Sequence, residues 1–199
     1  MVGIQKVLSR FRKHLRIARA SEIAERYFIM NSFDGALATL GVILGAYIAG
    51  IIDPHIILSA GFGASFAMGI SGAWGAFVTE KAQRAKSIKD LEQAMFTELK
   101  DSIIVRASRA ATIWVAFVDA LSPIIAAFVT LSPFLLSLYS LTSSGEAFVA
   151  SIVLNMTTLF ILGLFLGRIS RSSMIKQGLL MVLAGVITLL FLFALGLAL

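Results

Sequence analysis

The stretch ERYFIMNSFDGALATLGVILGAYIAGII, residues 25–52, decides the fold. After Arg26 its one charged residue is Asp34, and the rest is apolar, small or uncharged. A helix crosses a bilayer with ~20 predominantly apolar residues. The stretch therefore reads as a membrane span with a carboxylate just inside it. Such a group costs roughly 2.5–3.5 kcal/mol at a helix centre. A chain keeps one where it faces a bundle interior or a watery path, so Asp34 is expected to be a cation or proton site.

The rest of the chain follows the same pattern. It is 58% hydrophobic and 14% charged, where a soluble domain carries about 25% charged residues. Five apolar runs stand out, approximately 33–52, 56–78, 110–139, 147–167 and 178–199. The second, fourth and fifth contain no charge; the first contains Asp34 and the third Asp119. The expected fold is all-α, a polytopic membrane protein with five transmembrane helices.

Lysine and arginine orient it. All 17 lie in three segments, 1–31, 79–109 and 167–177. The connections near Asp53–His55 and at 140–146, and the C-terminus, have none. Five spans put the three basic segments on one side, and a count of four or six would break that partition. The positive-inside rule makes that side cytoplasmic, with the N-terminus inside and the C-terminus outside. The basic start runs into a full span rather than a short apolar region and cleavage site, so no signal peptide is expected. The +6 formal charge would suggest nucleic acid in a soluble protein; here it marks topology, and no nucleic-acid partner is expected.

Two regions flank this frame. Residues 1–31 read as a basic cytoplasmic helix: Ile4, Leu8, Phe11, Leu15 and Ala18 share one face, and Lys and Arg fill the remainder. Such a helix lies on an anionic membrane surface, so membrane lipid is an expected partner. Residues 32–199 read as the five-span domain, with a cytoplasmic helical insertion at about 79–109. No Pro or Gly interrupts that insertion, which favours helix throughout. Its acids are Glu80, Asp90, Glu92, Glu98 and Asp101. Glu98 and Asp101 would share a helical face and could hold a divalent cation. Seven interleaved Lys and Arg make ordinary surface pairing the simpler reading.

Much chemistry is excluded. The absence of cysteine removes disulfides and thiolate sites. There is no G-x-x-x-x-G-K-[ST], G-x-S-x-G or H-E-x-x-H, so no enzyme is expected. His14 and His55 lack metal-ligand neighbours at helical spacing, and GFGASF at Gly61 reads as packing. What remains is polar groups within spans: Asp34 and Asp119, with Asn31, Ser71, Ser122, Asn155 and Met156 as candidates for one cytoplasmic-side vestibule. Pro123 would free the Asp119 carbonyl, as a ligand or simply a kink. For each aspartate a structural hydrogen bond is the simpler alternative. Oxygen donors with occasional thioethers suit Mn²⁺ or Fe²⁺ better than Cu⁺ or a tight Zn²⁺ site. Gly41/Gly45 and Gly163/Gly167 form GxxxG pairs, and Gly69, Gly72 and Gly75 recur every three residues. An odd number of spans cannot divide into inverted halves, so a central path would come from two copies.

ERYFIMNSFDGALATLGVILGAYIAG (25–50), GISGAWGAFVTEKAQR (69–84) and DALSPIIAAFVTLSPFLL (119–136) resemble the first three spans of the vacuolar iron transporter family, in a divergent prokaryotic form. The resemblance implies a homodimer with its metal path between subunits. It also implies export of Fe²⁺ or Mn²⁺ from the cytoplasm, exchanged for protons, with no permanently bound cofactor. It puts the family's metal-path Asp at Asp34. Gly72 and Ala76 stand where the family shows Met and Glu, and Met68 lies one turn earlier as a substitute donor. Glu80, Glu92, Met95 and Glu98 correspond to remnants of a longer Glu-rich cytoplasmic region. The expected function is divalent-metal transport in the cell membrane of a prokaryote; the alternative is a non-transporting scaffold or lipid-interacting protein.

Overall fold

The structure is a computed structural model that describes residues 15, 17, 18, 20–100 and 102–198. Among the described residues there are five long helices and no strand: α1 (Ala20–Ile48), α2 (Pro54–Met95), α3 (Ile103–Leu138), α4 (Ser144–Ile169) and α5 (Met174–Ala198). Each contains a stretch long and apolar enough to cross a membrane. This is the all-α, five-span architecture read from the sequence. The expected amphipathic face from Ile4 to Phe11 lies outside the described residues. From Ala20 the chain is α1, which passes residue 31 without a break.

The helix ends are closed by local chemistry. At the end of α1 the Gly50 N–H reaches the Tyr47 carbonyl (3.1 Å) and the Ile51 N–H reaches that of Ala46 (2.9 Å). With Gly50 at φ 69°, this is a Schellman closure. Asp53 and Pro54 then restart the chain. The Asp53 carboxylate accepts the His55 N–H at 2.9 Å, and proline opens α2, where its missing N–H costs nothing. α4 starts with a capping box, in which Ser143 and Glu146 each accept the other's backbone N–H.

The insertion expected to be helical over about 79–109 contains a turn. α2 ends at Met95 and α3 begins at Ile103. Phe96 takes the left-handed position at φ 50°, and the Phe96 and Thr97 N–H groups close back onto Gln93 and Glu92. Ser102 then caps α3, its hydroxyl accepting the Val105 N–H at 3.3 Å. A turn separates the two helices, and these bonds satisfy part of the orphan backbone groups at each end.

The chain forms two compact units, Met1–Phe28 with Ile70–Ala120, and Ile29–Gly69 with Leu121–Leu199. In the first, Ala24, Ala76, Val115 and Ala116 form a small buried cluster. In the second, Ile43, Ile57, Leu58, Leu131, Phe134 and Phe148 build the larger one, with Phe134 and Phe148 edge to face at 5.0 Å. Large apolar side chains such as Ile70 and Trp74, each 72% exposed, point outward. Small and hydroxyl residues, including Ser32, Ala36, Thr39, Ser122, Thr130 and Ser151, are buried. That inversion suits lipid as solvent, where close helix contact rather than hydrophobic burial holds spans together.

The second unit shows that contact directly. A Cβ added at Gly163 would lie 2.5 Å from the Gly178 Cα, and one at Gly167 would lie 2.5 Å from the Met174 Cα. This GxxxG pair fastens α4 to α5 within one protomer. A Cβ at Gly35 would meet the Pro123 Cα at 2.6 Å, so α1 and α3 touch backbone to backbone. The Ser32 hydroxyl donates to the Ser122 carbonyl (3.2 Å), and the Asn155 amide donates to the Ala36 carbonyl (2.8 Å).

Candidate functional site

Asp34 stands at the midpoint of α1, about 21 Å from either end at ~1.5 Å per residue. Its neighbours in sequence, Gly35 and Ala36, face the packed interior, and Asp34 faces outward. Among the described residues no side chain hydrogen-bonds or pairs with it. The angular step of a helix puts Gly41 and Gly45 within ~20° of Asp34 on the same face. Among the described residues, Gly45 has nothing within 4 Å of where a Cβ would stand, and Gly41 only the tip of Leu192 at 4.0 Å. This GxxxG pair, unlike the one in α4, is open on the protomer surface. Met30 is one turn before Asp34 and 53% exposed, and Asn31 is half-buried one turn away. Met30 was overlooked in the sequence because an apolar run hides a methionine.

A second grouping lies in the other unit. Glu80 on α2 is 6% exposed and Asp119 on α3 is 2% exposed. Both carboxylates act electrostatically on Tyr27 of α1, which also hydrogen-bonds the Thr79 side chain. Glu80 is already engaged by Arg84, Nε to Oε2 at 3.0 Å, across one helical turn. The E-x-x-x-R spacing at 80–84 carried that signal; Tyr27 had none, since its neighbours come from other helices.

The remaining candidates are dispersed. Glu92 accepts the Leu99 N–H at 2.8 Å and so fixes the turn after α2. Glu98 lies in that turn rather than on a helix and pairs with Lys100 at 2.9 Å in full exposure. Asp101, its expected partner, lies outside the described residues. Met68 is half-buried on α2. Asn155 is fully buried and Met156 packs against Ala36, Ala126 and Leu159, so both serve helix contact. Ala76 fills the small apolar cluster and supplies no donor. Among the described residues no three His, Asp or Glu side chains gather as a metal cluster.

The family model described as VIT family matches residues 86–197, more than half the chain. The chain belongs to the VIT family. It is also 33% identical over 164 residues to the uncharacterized protein MJ0645 of Methanocaldococcus jannaschii, covering 81% of this chain and 82% of that protein. No solved structure matches it. With five apolar helices, VIT membership makes it an integral membrane protein. The VIT family is a family of transporters rather than enzymes, and membership suggests a metal-ion transporter.

Proposed function

We propose that this VIT-family protein carries Fe²⁺ or Mn²⁺ out of the cytoplasm in exchange for protons, as a homodimer in a prokaryotic cell membrane. Asp34 is its principal metal-path residue. The observation that carries this reading is the outward carboxylate of Asp34 near the start of the apolar run of α1. Facing lipid, each copy would bear a cost that reaches roughly 2.5–3.5 kcal/mol at a helix centre. A second α1 across the Asp34 face replaces lipid with protein, water and a cation. The open Gly41 and Gly45 permit the close approach this needs.

Two copies bring two carboxylates, two Asn31 amides and two Met30 thioethers to one seam. A mixed oxygen and thioether set favours a borderline divalent ion over Mg²⁺ or Ca²⁺. Asp119 and Glu80, buried around Tyr27, are proposed as secondary acids that pass protons or metal. Met68, Glu92 and Glu98 are peripheral in this scheme.

The test is initial-rate Fe²⁺ and Mn²⁺ flux into proteoliposomes, with a lumenal pH dye to follow counter-moving protons. Asp34→Asn keeps size and polarity and removes the charge. Flux should fall tenfold or more, each tenfold corresponding to about 1.4 kcal/mol. Asp119→Asn should have a smaller effect. Full activity of Asp34→Asn, at equal reconstituted protein, would remove the central role given to this residue.

A further inference from the structure

Within the first unit, α2 and α3 change from apolar to charged at one level. On α2 the charge-free run 56–78 gives way to Glu80, Lys81 and Arg84; on α3 Arg106 and Arg109 precede the apolar run from residue 110. Trp74 and Trp114 lie one to two turns inside these limits, as aromatic residues do near a membrane–water boundary. That pattern is the one expected at the headgroup level of a bilayer.

A cavity of about 610 Å³ opens there, with Lys81, Arg84, Lys100, Ser108, Arg109 and Thr112 in its wall. Its acid, Glu92, already accepts the Leu99 N–H. Lys100 meets Glu98 in an exposed pair, a weak competitor for another anion. Lys81 sits 5.8 Å over the Phe77 ring. Arg84 is the telling group. Its Nε serves Glu80, but its buried Nη2 has no hydrogen-bond partner among the described residues. A buried N–H without an acceptor is costly, and a guanidinium has a second edge shaped for two anionic oxygens. Arg84, Ile88 and Ser108 also line an adjoining cavity of about 220 Å³, whose other walls include Leu91, Ile104 and Ala107. A cationic chamber thus shares a wall with an apolar one.

We infer that this pair of cavities binds an anionic phospholipid, its phosphate on Arg84 and Arg109 and its glycerol and first acyl carbons against Ile88, Leu91 and Ile104. A phosphate satisfies the orphan guanidinium edge and relieves repulsion among the cations. The apolar annex at headgroup level selects a lipid over a soluble phosphate. Basic pockets between membrane helices recognise headgroups in this way.

The full-length protein in mild detergent tests it by thermal unfolding with added phosphatidylglycerol, phosphatidylcholine or inorganic phosphate. Phosphatidylglycerol should raise the midpoint by roughly 4 °C beyond phosphatidylcholine, and inorganic phosphate should not. The double variant Lys81→Gln/Arg109→Gln should lose that difference, and Lys176→Gln, from α5, should keep it. Should the double variant not fold, a photoactivatable phosphatidylglycerol on the unaltered protein should label segments 81–92 and 104–112. Equal protection by phosphatidylcholine, full protection by inorganic phosphate, an undiminished response in a folded double variant, or labelling confined elsewhere would overturn the assignment.

Discussion

Asp34 and Gly35 are adjacent and answer to opposite demands. Gly35 must be small, because a Cβ there would fall 2.6 Å from the Pro123 Cα and 2.8 Å from its Cβ. Neither atom is the end of a flexible chain. Gly35→Ala should therefore lower stability by about 1–3 kcal/mol, read from thermal or denaturant unfolding in detergent. Gly45→Ala meets nothing within 4 Å among the described residues and should not destabilise the protomer. Any loss there should appear in self-association. A second contrast concerns Glu80 and Arg84, whose side chains are 8% and 15% exposed. Arg84→Ala strands a buried carboxylate and should cost about 3–5 kcal/mol, whereas Glu80→Leu with Arg84→Met should come close to neutral. A neutral Arg84→Ala would show that Glu80 is not buried as a charge. Asp34 itself was legible in the sequence, since one charge in an apolar run needs no structure to be noticed. Its outward direction was not legible, because beyond Arg26 the rest of α1 is uncharged on every side and lipid does not impose a polar face.

At the scale of elements, three of the four helix closures put a non-glycine residue in the left-handed position: Phe96 (φ 50°), Ser140 (φ 57°) and Arg171 (φ 52°). Only Gly50 takes it without a Cβ penalty. Phe96 is 97% exposed and has no packing to lose. Phe96→Gly should gain about 0.5–1 kcal/mol, while Phe96→Ala should gain little, since alanine keeps the Cβ. Unfolding midpoints of the two variants distinguish backbone relief from side-chain removal. Ser143→Ala should lose about 0.5–2 kcal/mol through the broken capping box. These ends were unevenly readable. Asp53-Pro54 and Ser143-x-x-Glu146 announce helix starts because the side chain itself makes the bond. The stop at Met95 had no glycine or proline to announce it, and the backbone closes there against the preference of Phe96. The turn there takes Glu98 off a helical face.

At the scale of the whole molecule, five spans were readable from run length alone, because a long apolar run persists in lipid as a helix that satisfies its own backbone bonds. Sidedness rests on the charge partition and has a direct test. The chain has no cysteine, so single cysteines report cleanly. One at Ser144 should react with an impermeant reagent from outside and one at Ser87 should not; the reverse pattern would invert the chain. The GxxxG pairs could not be sorted by sequence, since within-protomer and between-protomer contacts demand the same small residues. Packing separates them: Gly163 and Gly167 are occupied by α5, and Gly41 and Gly45 stand open.

That separation makes the assembly claim specific to one face. Single cysteines placed along α1 between Met30 and Ile48 should crosslink in lipid with a 3.6-residue rhythm. High yields are expected at Met30, Gly41 and Gly45, which share the Asp34 face. Low yields are expected at Ser32, Ala36, Thr39 and Ile43, which are buried inside the protomer. The Asp34→Asn background sharpens the reading. If two carboxylates meet at the seam, neutralising them removes a repulsion that a cation otherwise offsets, so crosslinking should persist or rise as metal flux falls. Loss of both together would point to a structural role for Asp34 in association. Even yields around the helix, or a monomeric mass retained in lipid, would leave the Asp34 face exposed to hydrocarbon and remove the dimeric seam altogether.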